Sequence, residues 1–287
     1  MGQMLKQKVL LLGSSGMAGQ VLKIDLEKKI DLVELTDISR SQKISKPKIK
    51  LDVTNFRKLE EIILNNNYNY IINVVGILNQ DAEKNPSKAI LINSYLPHFL
   101  ANITKEMTTK VIHISTDCVF SGKKGDYSEF DFKDGIGYYA QSKAIGEIIN
   151  KKDLTIRTSI IGPDKKPNGI GLFNWVLNQK GNIKGFINAY WSGVTTTYLS
   201  KYIISGIVES NLPCGLINLS NNKKINKYNL VNIIKDVFNI ENLEISKCDK
   251  YKVDKSLINS SDEISLNIPS YLEMIMDMKN WMDKNNY

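Results

Sequence analysis

The chain of 287 residues is 42% hydrophobic, enough apolar mass for one large domain or two intimate ones. Its net charge of +8 admits nucleic acid, a membrane surface or an anionic small molecule. The lysines are scattered with no aromatic-rich basic stripe, which leaves nucleic-acid binding little support.

The first candidate strand, Lys8–Leu12, holds an apolar run far shorter than the ~20 residues that span a bilayer. No stretch reads as a signal peptide or a membrane anchor, so a cytoplasmic protein without membrane partners is expected. The strand runs into Gly13-Ser14-Ser15-Gly16-Met17-Ala18-Gly19 and then a helix over Gly16–Lys29. Glycines in a strand–turn–helix of this spacing permit a tight turn, close approach of a pyrophosphate and close helix–strand packing. The helix N-terminus adds amides and a partial positive charge. Gly13, Ser14, Ser15, Gly16, Met17 and Gly19 are therefore candidate cofactor-binding residues.

A second strand is expected over Leu32–Thr36, closed by Asp37. Asp37 reads either as a turn residue or as a carboxylate accepting the adenosine ribose hydroxyls. The ribose-binding role favours NADH, since a carboxylate there repels a 2′-phosphate; Arg40, three residues on, could instead greet that phosphate. On balance NADH is expected, with NADPH tolerated. A third strand at Ile49–Leu51 leads to Asp52 and Val53, read as neighbours of the adenine or, for Asp52, as part of a helix cap. A helix over Asn55–Asn66 follows, then strands at Tyr70–Val75 and Lys110–Ser115 separated by a helix over Lys88–Glu106. His113 sits within Val111-Ile112-His113-Ile114 and reads as a satisfied core residue. A helix over Tyr139–Asn150 and a strand at Leu154–Thr158 complete the alternation, which implies a parallel, doubly wound α/β sheet.

After Pro163 the alternation turns irregular, with a loop at Pro163–Gly171 and helices near Thr196–Glu209, Lys227–Phe238 and Ser270–Lys284. The division expected is a dinucleotide-binding domain over residues 1–162 and a mainly substrate-binding region over 163–287. A strand near 215–220 would return to the first sheet. The three cysteines and two histidines lack metal-ligand spacing, and no metal is expected.

Within "YYAQSK" (138–143), only Tyr139 stands one helical turn before Lys143, so these two share a face while Tyr138 points elsewhere. In a doubly wound sheet the ligand lies at the carboxyl ends of the strands. That puts Thr116, at the end of the fifth strand, and the Tyr139–Lys143 helix beside the crevice of the glycine turn.

With these residues in place, the chain resembles the extended short-chain dehydrogenase/reductases, most of all the dTDP-4-dehydrorhamnose reductase group. The stretches that carry the resemblance are the glycine turn, Asp52-Val53, "INVVGI" (72–77), Asn93, "STDCVFSG" (115–122), "YAQSKAIGE" (139–147), "RTSIIGP" (157–163) and "SGVTTTYLS" (192–200). It implies a catalytic triad of Thr116, Tyr139 and Lys143, with Val74, Val75, Gly76, Asn93, Tyr139 and Lys143 also facing the cofactor. It implies a substrate pocket that includes Thr116, Asp117, Cys118, Ile160 and Thr195. The substrate would be a nucleotide-diphosphate sugar, reduced at a 4-keto group by NADH or NADPH in surface-polysaccharide biosynthesis; a homodimer is compatible. Lys180 and Lys184 are candidates for its diphosphate, because only three arginines, Arg40, Arg57 and Arg157, are present; an ordinary solvated surface is the other reading. Cys118, Ile160 and Ala140 depart from the group's usual tyrosine, tryptophan and glycine, which leaves the hexose open. Alternatives on the same fold are an epimerase or epimerase–reductase using Cys118, and a non-catalytic nucleotide-binding subunit.

Overall fold

The structure, a computed structural model, describes residues 6–41, 46–166, 171–260 and 267–287. Its elements begin with β1 (Gln7–Leu12), α1 (Met17–Glu27), β2 (Val33–Ser39), β3 (Ile49–Lys50), α2 (Phe56–Asn66) and β4 (Tyr70–Asn73). Next come α3 (Asn79–Lys84), α4 (Pro86–Ala89), α5 (Leu96–Ile103), β5 (Lys110–Thr116), α6 (Tyr138–Ile145) and β6 (Leu154–Thr158). The remainder is β7 (Ile160–Ile161), α7 (Leu172–Leu177), β8 (Gly181–Trp191), β9 (Val194–Thr195), α8 (Thr196–Val208) and β10 (Gly215–Asn218). The chain closes with β11 (Ile225–Asn226), α9 (Lys227–Val237), β12 (Leu243–Asp254) and α10 (Tyr271–Lys284). A π-helical segment, Ile90–Tyr95, joins α4 to α5, and a 3-10 turn, Asp117–Val119, follows β5.

Two compact units emerge: Met1–Ser115 with Ile136–Ile156 and Ser200–Ile217, and Thr116–Gly135 with Arg157–Leu199 and Asn218–Tyr287. A single cut at residue 162 is thus replaced by several crossings, with the 116–135 loop going to the second unit. Residues 167–170 of the expected 163–171 loop lie outside the described residues. Among the described residues no helix is long and apolar enough to cross a membrane.

The first unit is a Rossmann-like α/β fold built on a seven-stranded sheet in the order β10-β6-β5-β4-β1-β2-β3. β1 runs parallel with β2 and β4, β2 with β3, and β4 with β5. Val9, Leu10, Leu11 and Leu12 are wholly buried, as a strand covered on both faces requires. The chain leaves β1 toward β2 on one side and pairs with β4 on the other, so the order reverses at the carboxyl end of β1, where such folds take their ligand. Asn55 caps α2 by accepting the Lys58 N–H at 3.1 Å, which makes Asn55, not Asp52, the helix cap.

The second unit carries a three-stranded sheet, β11-β8-β12, in which β12 runs parallel with β8 and β11 antiparallel. β8 and β12 are long strands that an irregular, lysine-rich sequence hid. Ser270 starts α10 with a capping box to Glu273. Arg157, wholly buried on β6, reaches Ser128 O and Asn218 Oδ1 and lies 4.9 Å from the Phe120 ring centre. It serves packing rather than a diphosphate.

Candidate active site

The glycine turn has the form its spacing predicts. Gly13 adopts φ +94°, where an L side chain is strained, and its N–H donates to Ile38 O at 2.9 Å. A Cβ on Gly19 would come 2.1 Å from Gly13 O, so this position is needed for helix–strand contact. A Cβ on Gly16 would meet only Gly13 O, at 3.4 Å. Space therefore remains beside the first turn of α1, whose N-terminus no side chain caps. Uncapped helix amides with open space ahead of them fit a pyrophosphate. Ser14 is buried, while Ser15 and Met17 are half-buried at the rim.

Beside this turn one expectation is corrected. β2 continues to Ser39, so Asp37 lies within the strand, wholly buried. Its Oδ2 pairs with Lys23 Nζ at 3.0 Å and its Oδ1 accepts the Lys48 N–H at 3.0 Å. Both oxygens are spent inside the fold, because a buried carboxylate needs such partners; Asp37 is not a ribose acceptor. The exposed residue at the end of β2 is Arg40, 3.9 Å from Asp52. Asp52 Oδ1 also takes the N–H and hydroxyl of Thr54 at 3.1 and 2.8 Å. Partial burial pushes the Asp52 pKa up, but the Thr54 bonds and Arg40 outweigh it and leave the carboxyl below its ordinary value. Val53 beside it is buried.

After β4, Val74 and Val75 are half-buried and Gly76 is exposed. Asn93, on the π-helical segment, is wholly buried. Its Oδ1 accepts the Ile77 N–H at 2.8 Å, and its Nδ2 donates to Ile77 O at 2.9 Å and Ser142 Oγ at 3.0 Å. Three of the four hydrogen bonds open to this amide are made inside the fold, so Asn93 ties the β4 loop to α6 as a positioning residue. Ser94 Oγ adds a bond to Ser142 O at 2.7 Å, and a Cβ on Gly146 would strike Asn93 O at 1.8 Å. The wide π turn brings its backbone against α6, a use often seen at functional sites.

α6 starts at Tyr138 behind Gly137, and the Tyr139 N–H donates to Glu83 Oε1 at 3.2 Å. Tyr139 is half-buried and Lys143 buried one turn later, whereas Tyr138 is exposed. Lys143 turns inward: its Nζ donates to Ile114 O at 2.6 Å and lies 3.3 Å from His113 Nε2. Burial drives the Lys143 pKa down to about 8, with Glu147 pulling the other way. His113, wholly buried, also meets Asn73 Nδ2 at 3.2 Å through Nδ1. Burial first, then Lys143 and His98, hold the imidazole well below its ordinary pKa. His113 is thus satisfied, as expected, but it is satisfied by the lysine of the site.

In the second unit, Thr116 Oγ1 accepts the Cys118 N–H and donates to Asp117 Oδ1, both at 3.2 Å. Asp117 and Cys118 line a cavity of 410 Å³ together with Ser159, Trp175, Lys184, Phe186, Tyr190, Trp191, Lys227, Tyr251 and Lys255. Lys184 is there as expected. Lys180, Ile160 and Thr195 are not among the lining residues. Thr195 is buried, with its hydroxyl on Thr197 Oγ1 at 3.0 Å and accepting the Tyr198 N–H at 3.2 Å at the start of α8. Ile160 pairs with Val194 between β7 and β9.

Lys227 and Lys255 escaped the sequence reading. Their signals were the position of Lys227 directly behind the Asn226 cap of α9, and the period-2 row Tyr251, Val253, Lys255 along and just beyond β12. Burial lowers the Lys227 pKa, while Asp117 and Cys118 act to raise it. The Cys118 thiol is pushed up to about 11 by burial and by Asp117, so it stays protonated and is a poor base. Aromatic walls with three lysines suit a ligand that has a flat base and a diphosphate.

Comparison with known proteins agrees with this geometry. A dTDP-4-dehydrorhamnose reductase of Aggregatibacter actinomycetemcomitans is 33% identical over 131 residues, covering 44% of this chain and 45% of the relative. The chain spans about half the length of the curated relatives it matches. The crystal structure of a hypothetical dTDP-4-dehydrorhamnose reductase from Sulfolobus tokodaii superposes with TM-score 0.74 at 28% identity, covering 91% of this chain and 98% of that one. A dTDP-4-dehydrorhamnose reductase from Bacillus anthracis in complex with NADP gives TM-score 0.80 at 19% identity, covering 96% and 100%, and so shares the fold. The family described as RmlD substrate binding domain matches residues 7–261, and the chain belongs to that family.

Proposed function

We propose that the chain is an NADPH-dependent reductase of the 4-keto group of a nucleotide-linked 6-deoxyhexose. The observation that carries this reading is α6, which sets a half-buried Tyr139 one turn before a buried Lys143 in the unit that also holds the glycine turn. The family and the named activity of the Aggregatibacter relative support the substrate class.

The nicotinamide coenzyme, when bound, supplies the hydride. The amides of the glycine turn and of the first turn of α1 would hold its pyrophosphate. Arg40 would meet a 2′-phosphate by exchanging its loose contact with Asp52 for the phosphate, while Asp37 stays engaged inside the fold. Tyr139 donates its phenolic proton to the carbonyl oxygen of the substrate. A phenol with a reference pKa near ~10 does so readily only beside a cation, the role of a charged Lys143. Thr116, its hydroxyl turned from Asp117 to the substrate, donates a hydrogen bond to the oxygen on which charge develops. Lys184, Lys227 and Lys255 would hold the diphosphate.

The protonated Cys118 weighs against an epimerase that uses it as base. The pair Asp117-Cys118 also lacks the Asp-Glu expected for elimination chemistry. The test is turnover of NADPH with a dTDP-linked 4-keto-6-deoxyhexose. Coenzyme and nucleotide binding without turnover would favour a non-catalytic subunit instead.

A further inference from the structure

Lys143 does not end in open space. Its Nζ lies between Ile114 O, to which it donates at 2.6 Å, and His113 Nε2 at 3.3 Å. The far side of that ring is fixed. Asn73 Oδ1 accepts the Val75 N–H at 3.1 Å, which turns Asn73 Nδ2 toward His113 Nδ1 at 3.2 Å. An amide NH₂ only donates, so with Asn73 Nδ2 as its partner Nδ1 accepts, and a neutral ring then carries its proton on Nε2. That N–H points at the lysine nitrogen. An amine can answer it with a lone pair; an ammonium has none and would meet it head-on.

We infer that Asn73 and His113 form a positioning pair that keeps Lys143 as a neutral amine in this inward position, so that charging Lys143 and releasing it from His113 are one event. The amine in this place has both its needs met, with one N–H on Ile114 O and the lone pair on His113 Nε2. The ammonium is stable only once it leaves, the proton coming from solvent. The charged and titratable groups around the pair pull both ways. Glu147, two residues beyond the end of α6, favours the cation but accepts the Ser115 hydroxyl at 2.8 Å through one oxygen. His98, on α5, opposes a charged His113. The backbone carbonyl of Asn73 favours a charged ring and offers the rival arrangement, a proton on Nδ1 instead of Nε2. The depressed Lys143 pKa agrees in direction with the neutral amine.

The tautomer is directly measurable, because the chain has only two histidines. In ¹⁵N-histidine spectra of the ligand-free protein, assigned with His98→Gln, His113 should show a protonated Nε2 and a bare Nδ1 through the neutral pH range. A protonated Nδ1 overturns the inference, and this result needs no variant at the pair. The functional consequence rests on the reading of Lys143 as the cation of the reductase. Asn73→Asp should accept a proton from Nδ1, and Asn73→Leu should cease to hold Nδ1 as an acceptor. Both free Nε2 to accept from an ammonium. A charge-assisted bond of ~1.5–3 kcal/mol corresponds to about one to two pH units, so both variants should move the alkaline limb of kcat/KM upward by that amount. A limb that moves only in Asn73→Asp is plain charge and contradicts the tautomer account; a lower kcat with no shift in either contradicts it equally. If no substrate is turned over at all, the proposed reaction fails while the spectra still decide the tautomer.

Discussion

Ser39 donates its hydroxyl proton to Ser15 Oγ at 2.7 Å, fastening the end of β2 to the glycine turn that follows β1. The next residue, Arg40, is thereby held at the turn with its side chain exposed, while Asp37, two residues before Ser39, is sealed inside the fold. NADPH should therefore be preferred over NADH. Arg40→Ala should lower kcat/KM for NADPH by about ten- to a hundredfold, the loss of one charge-assisted contact, and leave NADH nearly unchanged. Asp37→Asn should not alter the ratio of the two coenzymes. It should instead destabilise the fold by about 3 kcal/mol, since it breaks a buried pair, as denaturant unfolding will read.

The two glycines of the turn should part company. Gly19→Ala forces a Cβ against Gly13 O at 2.1 Å and should give an unstable or unfolded chain. Gly16→Val meets no backbone that close and should fold, with circular dichroism of the parent, yet lose coenzyme binding, because its side chain occupies the space before the α1 amides. Retained coenzyme affinity in folded Gly16→Val would place the pyrophosphate elsewhere.

Much of this was legible in the sequence, for a physical reason. The central strands β1 and β4 are buried and read as short apolar runs, and a tight turn against a helix demands glycine. The register of "YYAQSK" follows from helical spacing alone, and Tyr138 is exposed where Tyr139 is not. The failures share another cause: local sequence does not say who partners a polar side chain. Asp37 looked like a strand-end carboxylate because Lys23 and Lys48, which consume it, come from other elements. Asn93 and Thr195 matched a motif but spend polar atoms on neighbouring backbone and hydroxyl groups. Lys227 and Lys255 stood among many lysines, and only the folding of β8, β12 and α9 singles them out.

Those lysines lead to a third prediction. Ala at Lys184, Lys227 or Lys255 should raise KM for the nucleotide sugar with little change in coenzyme affinity, whereas Lys180→Ala, outside the cavity lining, should behave as the parent. Steady-state kinetics with each ligand varied in turn will separate the two sets. An equal rise for Lys180→Ala would mean that bulk positive charge, not this cavity, attracts the substrate.

Lys143 links pH to both stability and rate. Its pKa falls from 10.5 to about 8 on folding, chiefly by burial, so the unfolded chain holds this proton more tightly than the folded one. The folded state should gain stability as pH rises from about 8 toward 10.5 and carry the full penalty below that window, on the order of 3 kcal/mol. Lys143→Met should raise the Tm of the ligand-free protein at neutral pH and flatten that rise, while removing activity. The rate should run the opposite way, because the phenol of Tyr139 needs the cation, so kcat/KM, which reports the free enzyme, should decline as pH passes about 8.

The most direct test is the rate of NADPH oxidation with a dTDP-linked 4-keto-6-deoxyhexose in Tyr139→Phe and Tyr138→Phe, beside the parent. The parent should turn over. Tyr139→Phe should bind both ligands and lose ~10²–10⁴ in kcat, the usual contribution of general acid catalysis, while Tyr138→Phe should stay within a few-fold of the parent. A parent that binds both ligands but never oxidises NADPH, or a Tyr139→Phe that reduces the sugar at the parent rate, would contradict the account.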